Sequence, residues 1–382
     1  MKRLTLCLAV LSLVLTASAQ KPKAYPPQIN DDKSVTISCK APDAKLVQVV
    51  GELASGQSTK DMVRDSGGIW TYTTSPLESE MYYYLLKIDG VSVTDPLNSA
   101  AILDGGSHYS YVIVPGGVGD LYIPKQVPHG SVHKVWYTAE GLGYDRRMSI
   151  YTPPGYEQSK KKYPVLYLLH GAGGNEESWL TFGRTAQIMD NLLAQGRIEP
   201  MIVVMTSGAT KSQATPGECP GNGLYSPVSG SSYDTSYEVQ FQDVLDYVES
   251  SFRVIKKKSA RAIAGLSMGG EQAFQTALNY PDTIDYVGIF SGVPRVREIK
   301  GNELKVEIYQ NTLEKLDKEF KNGLQLYYIA VGVNDSLYGN SKWLRETLDE
   351  KGYPYVYNES TGGHSWRNWR LYLIDFSQKL FK

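Results

Sequence analysis

The sequence predicts an α/β unit built on a largely parallel sheet, preceded by a smaller all-β sandwich. Three observations carry that expectation. Short apolar runs alternate with amphipathic helical stretches through the later part of the chain, whereas the early part carries short alternating runs cut by Gly, Asp, Ser and Pro. A serine flanked by glycines also sits where a strand-like run meets a helical one. At 382 residues the chain is longer than one minimal α/β unit needs, which agrees with two folding units.

The first nineteen residues stand apart. Lys2 and Arg3, an apolar stretch from Leu4 to Leu15 and Ala17-Ser18-Ala19 before Gln20 read as a secretory signal cleaved after Ala19. The apolar stretch is too short to cross a hydrocarbon layer of about 30 Å. An exported protein, periplasmic or secreted and not held in a membrane, is expected. Removal of Lys2 and Arg3 leaves 37 Lys and Arg against 40 Asp and Glu, a balance that suggests no nucleic-acid partner. Of the 3 Cys, Cys7 leaves with the signal, and Cys39 and Cys219 remain in a compartment that permits disulfides. Two free thiols are expected rather than a bridge, because the two positions fall in different predicted units. No Cys/His cluster or His-Glu-x-x-His spacing occurs, so neither a metal nor a cofactor is implied.

Residues 20–115 form the predicted sandwich. Its strands are Ser34–Ser38, Lys45–Val50, Trp70–Thr73 and Met81–Ile88, separated by turn residues. Trp70 and the tyrosines at 82–84 offer either a sugar-stacking platform or ordinary core packing, and strand aromatics more often do the second. A buttress that helps to shape a cleft is the expected role. A Gly- and Pro-containing connector over residues 116–128 leads into the α/β unit, residues 129–382. There, helices are expected near 185–193, 241–248 and 343–348.

Within the α/β unit, Gly265-Leu266-Ser267-Met268-Gly269 follows the apolar run Ala262–Ala264 and precedes a helix-forming stretch at 272–278. That is the context of a nucleophile elbow, in which a strained turn lifts a serine hydroxyl above the end of the sheet. The pentapeptide alone is only moderately specific; strand and helix on either side make it informative. In this topology the triad runs nucleophile, acid, histidine. The chain has 5 His, and only His364 follows Ser267, so His364 is the expected base. Asp335, just after the strand-like run Leu326–Val331, is the expected acid; Asp282, Asp349 and Glu350 fit less well, next to or inside helices. Oxyanion donors are expected at the backbone N–H groups of Met268 and of Ala172, in the Gly-rich loop after the run Val165–Leu169. That loop lacks both the Gly-x-Gly-x-x-Gly spacing and a Walker lysine, which argues against a nucleotide.

The blocks RRMSIYTPPGYE (146–157), YPVLYLLHGAGGNEESW (163–179), DNLLAQGRIEPMIVVM (190–205), RAIAGLSMGG (261–270), VNDSL (333–337) and GGHSWRNWR (362–370) resemble the esterase-D-like proteins of carbohydrate esterase family 1. The resemblance spans about residues 128–382 and implies an α/β-hydrolase fold, with Ser267, Asp335 and His364 as triad and Ala172 with Met268 as oxyanion hole. The group contains feruloyl esterases, acetyl xylan esterases and relatives that open siderophore lactones. Thr206–Ala209 and the loop 215–222 depart from its pattern, which leaves acyl specificity open. The front part is similar to early-set immunoglobulin-like domains related to family 48 carbohydrate-binding modules. An immunoglobulin-like sandwich ahead of the hydrolase is therefore expected.

Trp179, Trp366 and Trp369 lie near the oxyanion and base loops in sequence and are the candidates for holding a planar acyl group such as ferulate. Together with export, this favours a feruloyl or other hydroxycinnamoyl ester on plant polysaccharide or oligosaccharide as substrate. An acetylated xylan and an enterobactin-type trilactone remain the alternatives.

Overall fold

The computed structural model describes residues 23–55, 58–104, 107–209, 212–219, 237–294 and 307–382. The secretory signal expected over residues 1–19 lies outside the described residues, as do positions 220–222 of the loop that departs from the resemblance.

The chain opens with β1 (Gln28–Ile29), β2 (Val35–Lys40), β3 (Val47–Gly51), β4 (Ser58–Asp61), β5 (Val63–Arg64), β6 (Ile69–Thr73), β7 (Met81–Ile88), β8 (Val91–Val93), β9 (Ala101–Asp104) and β10 (Ser107–Ile113). These strands make two antiparallel sheets. One has the order β1-β2-β6-β5, the other β4-β3-β7-β10-β9 with β8 also paired to β7. Val35, Ile37, Val47, Val49, Tyr84, Leu86, Val112 and Val114 belong to one buried core, at the period of two with which a strand presents one face. Trp70 belongs to that core, its indole N–H donated to the Ala41 carbonyl at 2.8 Å. Tyr84 is buried with its hydroxyl on Asp95 at 2.6 Å. Trp70 and Tyr84 are thus packing residues. Cys39 is buried in the same core, and Cys219 points its thiol at the Ala214 carbonyl at 2.9 Å; both are free.

A third sheet follows: β11 (Ser131–Ala139), β12 (Tyr144–Thr152), β13 (Val165–Leu169), β14 (Ile202–Thr206), β15 (Arg261–Leu266), β16 (Tyr286–Phe290), β17 (Leu326–Gly332) and β18 (Val356–Ser360). Its order is β11-β12-β14-β13-β15-β16-β17-β18. The first two pairings are antiparallel and the rest parallel. β13, β14 and β16 are buried at every position, as parallel strands covered on both faces must be. Among the described residues the α-helices are α1 (Ser178–Thr181), α2 (Thr185–Ala194), α3 (Phe241–Ser251), α4 (Met268–Asn279), α5 (Thr312–Lys321), α6 (Tyr338–Lys351) and α7 (Trp366–Ser377). Apolar side chains of α3, α4, α5 and α6 share one core with the sheet; those of α2 and α7 share the other. No helix among the described residues is long and apolar enough to cross a membrane.

Met81, Ile102, Leu121 and Tyr122 join the core of α2 and α7, so the N-terminal sheets rest against that side of the α/β unit. A buried ion pair marks the contact. Arg370 of α7 donates to Glu80 Oε1 through Nη2 at 2.8 Å and Nε at 3.2 Å, and to the Phe182 carbonyl through Nη1 at 2.9 Å. Both side chains are 2% exposed. Glu80 also accepts the Met81 N–H at 2.7 Å, and the guanidinium lies over the Tyr122 ring at 5.0 Å. A guanidinium this dry is tolerated only because its charge and donors are met, so removing it strands a buried carboxylate.

Arg370→Met should therefore lower the unfolding free energy by about 3–5 kcal/mol in urea titrations; a loss below about 1 kcal/mol would show that Glu80 is stable without its partner. Beside this pair, burial pushes the Glu52 carboxyl up to about 7, against the lowering pull of Arg370 and of the Tyr83 N–H that donates to it at 3.3 Å. The folded protein keeps that proton above the ordinary value of 4.5, where the unfolded chain releases it, so this contribution to stability declines as pH rises from 4.5 to about 7. Glu52→Gln should flatten that part of the stability–pH curve, and an unaltered slope would remove Glu52 from the account.

Candidate active site

β15 runs into α4 through Ser267, whose φ of 53° and ψ of −117° place a non-glycine residue in a strained conformation. Close packing imposes it. A Cβ on Gly265 would stand 2.3 Å from the Gly269 carbonyl oxygen, and one on Gly269 would stand 2.5 Å from the carbonyl oxygens of Leu169 and His170. The strand, the helix and the neighbouring β13 thus meet at backbone distance. The Ser267 N–H donates to the Phe290 carbonyl at 2.9 Å, which ties the turn to β16 as well.

Two more loops converge on this turn. After β17, Asp335 N–H donates to Gly332 at 3.0 Å; after β18, Gly362 accepts the Asn334 N–H at 2.9 Å, and Asn368 braces Gly363 at 2.8 Å. A Cβ on Gly332 would lie 2.4 Å from the Gly362 carbonyl, so the two loops are zipped backbone to backbone. His364 Nδ1–H therefore reaches Asp335 at 3.0 and 3.1 Å from its two oxygens, and the Ser267 hydroxyl donates to His364 Nε2 at 2.9 Å. The carboxylate fixes which ring nitrogen carries the proton and leaves Nε2 to accept. Burial pushes the Asp335 carboxyl up, but hydrogen bonds from His364 and from the Leu337 N–H at 2.8 Å hold it below the usual carboxylate value. Asp335 is thus an anion, ready to balance an imidazolium. The competing carboxylates are occupied elsewhere, Asp282 with Asn322 at 2.8 Å and Asp349 with Tyr355 at 3.0 Å.

Met268 takes the first position of α4, where an N–H has no intrahelical acceptor and the helix dipole favours negative charge. Ala172, in the loop after β13, lines the pocket onto which Ser267 opens. That loop is set by His170, which sequence reading left without a role. His170 is buried, donates from Nδ1 to the Gly171 carbonyl at 2.7 Å and accepts the Gly208 N–H on Nε2 at 3.0 Å. Burial lowers its pKa to about 4, so it stays neutral and keeps one donor and one acceptor. Arg146 braces the other side, donating to Ser207 at 2.7 Å and Ala209 at 3.0 Å. The Thr206–Ala209 segment, which departs from the resemblance, in this way supports the loop after β13.

Ser267 and His364 open into a pocket of about 360 Å³ whose walls include Trp366 and Trp369. Trp179 is a correction. It is 1% exposed, donates its N–H to the Leu169 carbonyl at 2.9 Å and meets Trp366 edge to face at 5.3 Å. It supports the pocket wall from behind, because its indole N–H needs a carbonyl and the one available lies in the core. The pocket is also lined by Tyr83, Asp104 and Tyr109 from the N-terminal sheets and by Phe182, none of them among the residues expected to hold the acyl group. The missed signal was in Met81–Ile88, where apolar and aromatic residues fill both faces of a strand that should have had a polar side.

A family model named Esterase, described as "Putative esterase", matches residues 139–380. The chain is similar to an endo-1,4-beta-xylanase/feruloyl esterase of Xylanibacter ruminicola, 30% identical over 93% of this chain and 46% of the relative. It spans about half the length of the curated relatives it matches first. Among solved structures, a ferulic acid esterase from the anaerobic fungus Anaeromyces mucronatus shares the fold over 69% of this chain and 95% of its own, with 23% identity and a TM-score of 0.55. The enterobactin esterase of Shigella flexneri shares it over 91% of this chain and 92% of its own, with 17% identity and a TM-score of 0.64.

Asp335→Asn keeps the shape of the acid but favours the wrong imidazole tautomer, and should lower kcat on an activated ester by about 10⁴ with KM little changed. A loss under about tenfold would show that the carboxylate is not orienting His364.

Proposed function

The chain belongs to the Esterase family, a family of carboxylic ester hydrolases, and from that premise we propose a serine esterase that removes hydroxycinnamoyl groups, feruloyl above all, from plant cell-wall polysaccharide such as arabinoxylan. One observation carries the reading: the hydrogen-bond chain from Asp335 through His364 to Ser267 ends at a pocket walled by aromatic rings. The fused xylanase and feruloyl esterase activities in the name of the Xylanibacter relative support the polysaccharide context. Export, expected from residues 1–19, would place the enzyme where such polymers are met.

In the proposed reaction His364 Nε2 takes the Ser267 proton as Oγ attacks the ester carbonyl carbon. The Met268 and Ala172 N–H groups receive the oxyanion, and Asp335 balances the imidazolium. Nε2 then protonates the departing sugar oxygen, leaving the acyl group on Oγ. Water, deprotonated by the same nitrogen, attacks the acyl carbon, releases the acid and restores the serine. A second reading, opening of an enterobactin-type trilactone, is favoured by the fold likeness that covers 91% of the chain. The same aromatic walls suit a catechol ring.

Wild-type and Ser267→Ala proteins should be compared on methyl ferulate, acetylated xylan and a catechol trilactone. The reading expects methyl ferulate to be hydrolysed with the highest kcat/KM and Ser267→Ala to lose roughly 10⁶ in kcat with an unchanged circular dichroism spectrum. Trilactone turnover without methyl ferulate turnover selects the second reading; hydrolysis by Ser267→Ala at near the wild-type rate refutes the nucleophile.

A further inference from the structure

We propose that Tyr83 and Tyr109, carried by the N-terminal sheets, are the residues that select an aromatic over a small acyl group at Ser267; this rests on the hydroxycinnamoyl reading above. On β7, Tyr82, Tyr84 and Leu86 point into the core between the two N-terminal sheets, while Met81 and Tyr83 point the other way, onto the core of the α/β unit. β10 repeats the division. Val112 faces the inner core, and Tyr109, Tyr111 and Ile113 pack with Tyr83 on the outer side. The outer face of an antiparallel sheet is ordinarily wet and polar. Here it is aromatic, and it ends in the catalytic pocket.

The rings form a continuous path to the base. Tyr109 meets Tyr83 edge to face at 5.3 Å, and Tyr83 meets Phe182 at 5.6 Å. Phe182 stacks on Trp366 at 5.6 Å, Trp366 meets Trp369 at 5.4 Å, and Trp369 meets the His364 ring at 4.9 Å. The histidine end of this path must accept any ester, because every acyl carbonyl has to reach Ser267. The tyrosine end can be touched only by an acyl group that extends across the pocket. A conjugated ring offers Tyr83 and Tyr109 a planar apolar face, whereas an acetyl methyl offers them none. Selection is thereby assigned to strands remote in sequence from every group that moves a proton.

The position of this wall is set by the buried Arg370–Glu80 pair. Glu80 lies three residues before Tyr83 on the same run of chain, and Arg370 lies one residue after Trp369 on α7. The chain segments that carry Tyr83 and Trp369 are therefore tied by one guanidinium.

The test measures kcat/KM for methyl ferulate and for p-nitrophenyl acetate in the wild type, Tyr83→Leu, Tyr109→Leu, the double variant, and the two Tyr→Phe variants. The ferulate-to-acetate ratio should fall about tenfold in each Leu variant and further in the double. The Phe variants, which keep the ring, should keep the ratio. A ratio within twofold of wild type in both Leu variants, including the case in which both substrates decline together, overturns the inference. An equal loss in Leu and Phe variants also overturns it, since hydroxyl groups and not ring faces would then be at work. A wild type that turns over acetate but not methyl ferulate overturns the hydroxycinnamoyl reading and this inference with it; an active wild type with unresponsive variants overturns the inference alone.

Discussion

Backbone contacts too close for any side chain hold the candidate active site together. Gly265 lies against Gly269, Gly269 against the carbonyls that end β13, and Gly332 against Gly362. Each contact joins loops that leave different strands, and each would be forced apart by a single Cβ. The positive φ of Ser267 follows from the first two, and the meeting of Asp335 with His364 follows from the third. Strain at the serine is stable because the surrounding backbone has no alternative place to go.

Around that close-packed centre the supporting groups are neutral or hydrogen-bonded to neighbouring loops. His170 is kept uncharged by burial and serves as a two-ended bracket between Gly171 and Gly208. Arg146 satisfies carbonyls of the next loop, and Arg147 meets Glu176 at 2.8 Å. A setting braced in this way suits the development of charge at one place, since groups that are already fixed need no reorganisation. The N-terminal sheets add the far wall of the pocket and are locked in place through Arg370 and Glu80. They meet the site through ring faces and a buried ion pair, while Ser267, His364 and Asp335 all come from the α/β unit.

The parts of the fold that were legible in the sequence are those governed by local periodicity. β2, β3, β6 and β7 lie within a few residues of the runs read as strands, and α2, α3 and α6 overlap the stretches read as helices. β16 and α5 were not read: Tyr286–Phe290 is a five-residue apolar run with a glycine at its centre, although Pro281-Asp282 and Ser291-Gly292 bracket it, and Thr312–Lys321 is rich in charge. Trp70 was left between two roles and Trp179 was assigned the wrong one for a common reason. Tryptophan is equally suited to a binding face and a core, and the acceptor of its N–H, here Ala41 or Leu169, decides between them.

Chain order and residue chemistry by themselves determined the elbow at Ser267, the single histidine that follows it and the short choice of acids, because a nucleophile elbow is a local structure and its partners obey a fixed topology. Only the tertiary structure decided that Asp335 lies within hydrogen-bond reach of His364, that His170 bridges the loops after β13 and β14, and that Tyr83 and Tyr109 reach the pocket. The physical reason is range. Periodicity and turn chemistry act over a few residues, whereas the pairing of loops 332–337 and 360–365, and the docking of β7 and β10 beside α7, depend on packing between segments far apart in the chain.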